Sequence, residues 1–168
     1  MHPAEIALLV FPALLAFAAV SDLLTMTISN WLCALMAVAF VPLALAGGLD
    51  LSQIGIHALT GAAVLVLGFA LFAAGWIGGG DAKLAAAIVL WVGPFDGLAW
   101  GLLAAIFGGV MTLMLLSVRT MPLPAPLAAQ PWIARLHARE TGVPYGIALA
   151  AAGLMVFPQT AIYLHLAG

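Results

Sequence analysis

Residues 54–83 read IGIHALTGAAVLVLGFALFAAGWIGGGDAK. From Ile54 to Ile77 the run has no Asp, Glu, Lys or Arg, and it then meets Gly78-Gly79-Gly80, Asp81 and Lys83. A hydrocarbon core of about 30 Å takes roughly 20 helical residues to cross, so this run is long enough to span one. It shows no alternation of polar and apolar positions, which excludes a strand of a membrane β-barrel. A second run, Ile6 to Val20, ends in the same way, with only Ser21 between it and Asp22. Over all 168 residues, 66% are hydrophobic and 6% charged. Soluble domains carry about 25% charged residues, so composition excludes that class. The fold expected is all-α, a polytopic membrane helical bundle forming one domain over residues 1–168.

Six spans are expected, at about Glu5 to Ser21, Trp31 to Ala46, Gln53 to Gly75, Ala82 to Val92, Leu98 to Val118 and Tyr145 to Leu166. The fourth is short for a crossing, so a re-entrant segment and a continuation through Pro94 both stand. Six crossings would put Lys83, Arg119, Arg135 and Arg139 on one side, cytoplasmic by the positive-inside rule, with Glu5, Asp50 and Asp96 opposite. The N-terminal segment lacks an early Lys or Arg and is expected to be a retained helix rather than a cleaved signal. Pro122, Pro124, Pro126 and Pro131 make the loop at about 119–143 extended, with Trp132–Arg139 as a short interfacial helix. That loop either fixes orientation or recognises substrate. The formal charge of −2 gives no basis for a nucleic-acid partner, and the single cysteine, Cys33, excludes a disulfide and a cysteine-based zinc site. No metal or cofactor is expected.

Ionisable residues at the membrane are costly to keep and mark function by default, which singles out Asp22 and Asp81. Asp22 and Asn30 are also residue types that cap helix ends. The glycines before Asp81 let another backbone approach and let the chain leave helical geometry, which at membrane depth implies burial or a wet cavity. Two carboxyls brought close cannot both ionise easily, so one keeps a proton near neutral pH. The ionised partner can take a proton from a water attacking a carbonyl while the protonated one donates to the oxygen or the leaving amine. The alternative use of the same pair is a proton relay in a proton-coupled carrier.

Asp22, the stretch closing in Ile28-Ser29-Asn30, and Gly78-Gly79-Gly80-Asp81-Ala82-Lys83 together resemble the type IV prepilin peptidases, as does Pro144-Tyr145-Gly146 before the last span. The family is one of the Gly-x-Gly-Asp intramembrane aspartyl proteases. The resemblance implies that Asp22 and Asp81 are catalytic. It implies contacts with substrate from Gly78, Gly79, Gly80, Asn30, Lys83 and Tyr145. The substrate would be a prepilin, cut on the cytoplasmic face of a bacterial inner membrane between its hydrophilic leader and its apolar helix. Ser29 stands where that family usually has proline. Lacking a long extension with paired Cys-x-x-Cys motifs, the chain is similar to the short branch serving Flp (tight-adherence) pili, which implies cleavage without N-methylation. Outside these motifs, Gly61, Gly68 and Gly75 are expected to form a packing stripe, Gly93, Gly97 and Gly101 a packing or turn element beside Pro94, and His57 a satisfied polar contact. Trp31, Trp76, Trp91 and Trp132 are expected in an aromatic belt.

Overall fold

A computed structural model describes residues 3–167, with side chains from residue 8 onward. The expected side of the Glu5 carboxyl therefore rests on a side chain outside those described, and Met1 and His2 lie outside the described residues. The structure is all-helical: α1 (Pro3–Thr25), α2 (Asn30–Ala46), α3 (Leu51–Ala73), α4 (Gly79–Val118), α5 (Ala125–Ala128), α6 (Pro131–His137), α7 (Gly146–Val156), a 3-10 turn (Phe157–Gln159) and α8 (Ala161–Ala167).

The 40-residue α4 is not one rod. Gly93 takes φ 77° and ψ −177°, and Pro94 follows. Asp81 and Thr112 line the same cavity, although a straight helix would hold them about 46 Å apart. The Val89 side chain also comes within 3.8 Å of where a β-carbon on Gly97 would lie. The chain therefore turns back at Gly93, and limbs 79–92 and 94–118 run antiparallel. A β-carbon at residue 93 would lie 2.5 Å from the His57 ring, so both the backbone angle and the space demand glycine.

Pro94 has no N–H to offer the carbonyl four residues back, which is that of Leu90. His57 Nδ1 sits 2.9 Å from this carbonyl and supplies the missing donor. His57 is thus the satisfied polar contact the sequence suggested. It also stacks on Phe40, 5.6 Å between centroids.

Among the described residues, three helices, α1, α3 and α4, are long and apolar enough to cross a membrane, or four if α7 through α8, bent by 55°, make one span. Six separate full-length spans are not what the helices show. The expected fourth and fifth spans are limbs of α4, and α2 has 17 residues. Large apolar side chains such as Phe95, Leu51, Leu59 and Val38 are more than two-thirds exposed, the surface of a protein immersed in lipid.

An aromatic cluster sits within the largely aliphatic core. Phe11 stacks on Trp91 at 4.7 Å and tilts against Phe157 at 4.8 Å. Trp91, expected in an interfacial belt, is instead fully buried, with its indole N–H on the Met36 carbonyl at 3.0 Å. Trp31 and Trp76 are exposed. Gly61 and Gly68 pack α3 against α4, at Leu90 and Ala82 respectively. The third member of that stripe is a correction: Gly75 lies past the helix at φ 78° in open space, and makes a turn rather than a contact.

His57→Phe keeps the stacking but orphans the Leu90 carbonyl. We predict a loss of about 1–3 kcal/mol in denaturant unfolding in detergent, the cost of one buried unsatisfied group.

Candidate active site

Asp22 lies in the last turns of α1, which runs on to Thr25 rather than stopping at Ser21 as expected. It is buried at 5% exposure. Met26, next past the helix, accepts a left-handed backbone (φ 56°) while its amide bonds the Asp22 carbonyl at 2.8 Å. That conformation costs a non-glycine residue about 1–2 kcal/mol and turns the chain sharply towards α2.

The Asp22 carboxylate meets the far end of the chain. Its Oδ2 accepts the backbone N–H of Gly146, the first residue of α7, at 2.8 Å. The opening amides of a helix lack intrahelical acceptors, and their positive end favours an anion. Asp22 therefore caps a helix, though α7 rather than its own. A β-carbon at residue 146 would lie 2.8 Å from Asp22 Oδ2 and 2.9 Å from Ile28 Cδ1. Here the physical content of Pro144-Tyr145-Gly146 becomes plain: the glycine lets the helix end touch the carboxylate.

Asp81 sits in the first turn of α4, half-buried, with its carboxylate folded back over the N-cap residue Gly78. Any β-carbon at residue 78 would be 2.7 Å from Asp81 Oδ2. Of the glycine run that was expected to let the chain leave helical geometry, Gly78 is extended and Gly79 and Gly80 are helical. Gly80 is small because Ile28 Cβ lies 3.2 Å from where its β-carbon would be. Ile28 thus wedges between the N-termini of α4 and α7.

Asp22 and Asp81 open onto one cavity of about 670 Å³, also lined by Met26, Gly75, Trp76, Ile77, Gly78, Thr112, Gly142, Val143 and Tyr145. Of the site residues expected from sequence, Asp22, Asp81, Gly78 and Tyr145 meet here, together with Gly75 and Trp76, which were expected as scaffold. Tyr145 lays its ring over Gly108 and directs its hydroxyl to the Ala104 carbonyl at 3.5 Å. Gly79 packs on Phe72, and Gly80 on Ile28. Lys83 donates to Asn30 Oδ1 at 2.7 Å, tying α4 to α2, and faces a separate apolar cleft that includes Cys33, Gly61 and Leu90. Neither Lys83 nor Asn30 lines the cavity of the aspartates. Among the described residues no group of three His, Cys, Asp or Glu is placed to hold a metal.

Sequence reasoning missed Thr112, Met26 and the Gly142-Val143 wall. Thr112 is one of two hydroxyls in an apolar span, with Ser117, and no local pattern marks it. Gly142 and Val143 are held by Arg119, a buried cation whose partners are backbone carbonyls and one hydroxyl, which leave no trace in sequence. Ser29 is the N-cap of α2 at φ −73° and ψ 143°, and its hydroxyl is buried without a partner. Those angles suit proline, so the serine adds an unsatisfied group and removes a conformational restraint.

A model described as the type IV leader peptidase family matches residues 9–113 of the chain. That stretch includes Asp22 and Asp81 and ends before Tyr145 and Gly146. No curated protein and no solved structure matches the chain.

Two expectations follow from the geometry. Gly146→Ala should lower the turnover of a purified, folded variant by about 100-fold, as misplacement by roughly an ångström does. Ser29→Pro should leave turnover unchanged and raise stability in denaturant by about 0.4–1 kcal/mol, through a more restricted unfolded chain.

Proposed function

The chain belongs to the type IV leader peptidase family, an aspartic peptidase family that cleaves the leaders of prepilins, and from that premise we propose that Asp22 and Asp81 are its reacting pair. Membership of that family sets aside the proton-carrier reading. The observation that carries the proposal is the cavity itself: two carboxylates from helices distant in sequence line one space, walled by glycine backbone and the 142–145 segment. Glycines at 75 and 78 leave main chain bare along one side, which suits an extended peptide running past the acids.

In this mechanism the two carboxyls share one proton, and their titration belongs to the pair. The ionised carboxylate removes a proton from a water molecule as its oxygen attacks the scissile carbonyl carbon. The protonated carboxyl gives its proton to the carbonyl oxygen. When the tetrahedral diol collapses, the C–N bond breaks and the amine leaves with a proton returned from the pair, which is ready for the next cycle. No acyl-enzyme forms.

We assign the finer features to the same reading. Lys83, Arg119 and Arg135 gather at the aspartate end, where Lys83 reaches Asn30, Arg119 the 136–142 segment and Arg135 the Leu24 carbonyl at 2.9 Å. Asp50 caps α3 near the other end. With the limbs of α4 counted as two passes, this distribution supports a six-pass topology with the cavity on the cytoplasmic side of a bacterial inner membrane. Tyr145 and Gly78 line the substrate path, while Gly79, Gly80, Asn30 and Lys83 support it from behind. The substrate would be an Flp-type prepilin, cleaved without N-methylation.

Coexpression with a candidate Flp-type prepilin tests the pair. Wild type should shorten the prepilin on a gel. Asp22→Asn and Asp81→Asn should each cut the processing rate by about 10²–10⁴-fold, the usual worth of a general acid or base. Normal processing by either variant would exclude the two-aspartate mechanism.

A further inference from the structure

At the C-terminal end of α4, Arg119 is buried at 6% exposure. Its Nε donates to the Leu136 carbonyl at 2.9 Å, and its Nη2 donates to Thr141 Oγ1 at 3.1 Å and to the Gly142 carbonyl at 2.8 Å. A basic residue that did no more than set orientation would keep its charge in water, as the exposed Arg139 does. Arg119 instead turns a planar fork of donors inward, onto one short segment. The Thr141 hydroxyl in turn lies 2.6 Å from the Arg135 carbonyl and 2.7 Å from that of Ala138, so the turn is tightened from both sides.

That segment leads directly to the aspartates. Gly142 and Val143 wall the cavity, Pro144 is buried, and Gly146 donates its amide to Asp22. Between the Gly142 carbonyl and the Gly146 amide lie only Val143, Pro144 and Tyr145, and the proline has its backbone angle fixed. A shift at the guanidinium is therefore passed on with little slack.

We propose that Arg119 is a positioning residue for leader cleavage, which fixes the 141–146 segment so that it walls the cavity and keeps the Gly146 amide on Asp22. The inference rests on Asp22 being a member of the reacting pair. It assigns the Pro-rich connection a part in the reaction, through the end of that connection that Arg119 holds.

The test uses the purified 168-residue chain in detergent with a model prepilin, a hydrophilic leader ahead of an apolar helix. Arg119→Gln should lower kcat per folded enzyme by about 10–100-fold, with KM changed less than about 3-fold. Arg119→Lys, which can reach one acceptor but not the set, should fall between. Amide exchange followed by mass spectrometry should quicken in peptides containing Gly146 and stay as in wild type across α2 and α3. The proposal is overturned if kcat per folded enzyme is unchanged, or if protection is lost evenly over all helices, which marks a merely structural role. Should Arg119→Gln not accumulate, Arg119→Lys is judged by the same two readouts. Asp22→Asn is run in parallel. Wild-type turnover there removes the reacting pair and this inference with it; an inactive Asp22→Asn beside an Arg119→Gln of normal kcat removes this inference alone.

Discussion

The hydrogen bond from the Gly146 amide to the Asp22 carboxylate, 2.8 Å long between residues 124 positions apart, is the constraint from which the functional end of the molecule follows. In apolar surroundings a bare helix-terminal N–H and a bare carboxylate are each costly, and each is the other's remedy. Meeting that need brings α7 against α1 and forbids a side chain at residue 146. It also leaves a notch that Ile28 fills, and Ile28 then sets how closely Gly80 and the first turn of α4 approach. Asp81 is carried to the cavity by that same turn. The packing of the helix ends and the opening of both aspartates onto one cavity are thus one arrangement.

The same accounting explains the polar contacts elsewhere. Lipid offers no hydrogen bonds, so every freed backbone group needs a protein partner. Pro94 frees the Leu90 carbonyl, and His57 serves it. The carbonyl of Leu24 near the end of α1 is met by Arg135, and those of Met36 and Leu149 receive the indole N–H groups of Trp91 and Trp100. Asp50 and Gln53 close a reciprocal capping box at the start of α3. Ser29 stands apart from this pattern, with a buried hydroxyl that nothing satisfies.

Much of this was legible before any coordinates. Asp22 and Asp81 stand out because charge is expensive in such a chain, and Gly93-Pro94 read correctly as a possible turn. The short helix after the prolines was expected at Trp132–Arg139 and lies at Pro131–His137. What could not be read depends on distance in space. Trp91 has the look of a belt residue, yet it is core because the α4 hairpin turns its face inward towards Phe11 and Phe40. Lys83 follows Asp81 by two positions, and about 200° of helical rotation sends it to another face, onto Asn30. Arg119 looked like a topology signal, since its partners are mostly main-chain carbonyls, which every sequence possesses. By length and composition the described helices give three or four candidate spans rather than six, because α4 carries the expected fourth and fifth segments in one helical run that reverses at Gly93.

The central claim is that Asp22 and Asp81 face each other across one cavity closely enough to act on a shared water. Replacing both with cysteine in a Cys33-free background, and treating membranes with a mild oxidant or a short bifunctional thiol reagent, measures this directly. Efficient intramolecular cross-linking, lost when either cysteine is moved one position along its helix, is the result predicted. Two freely reactive thiols that never become joined would contradict the account.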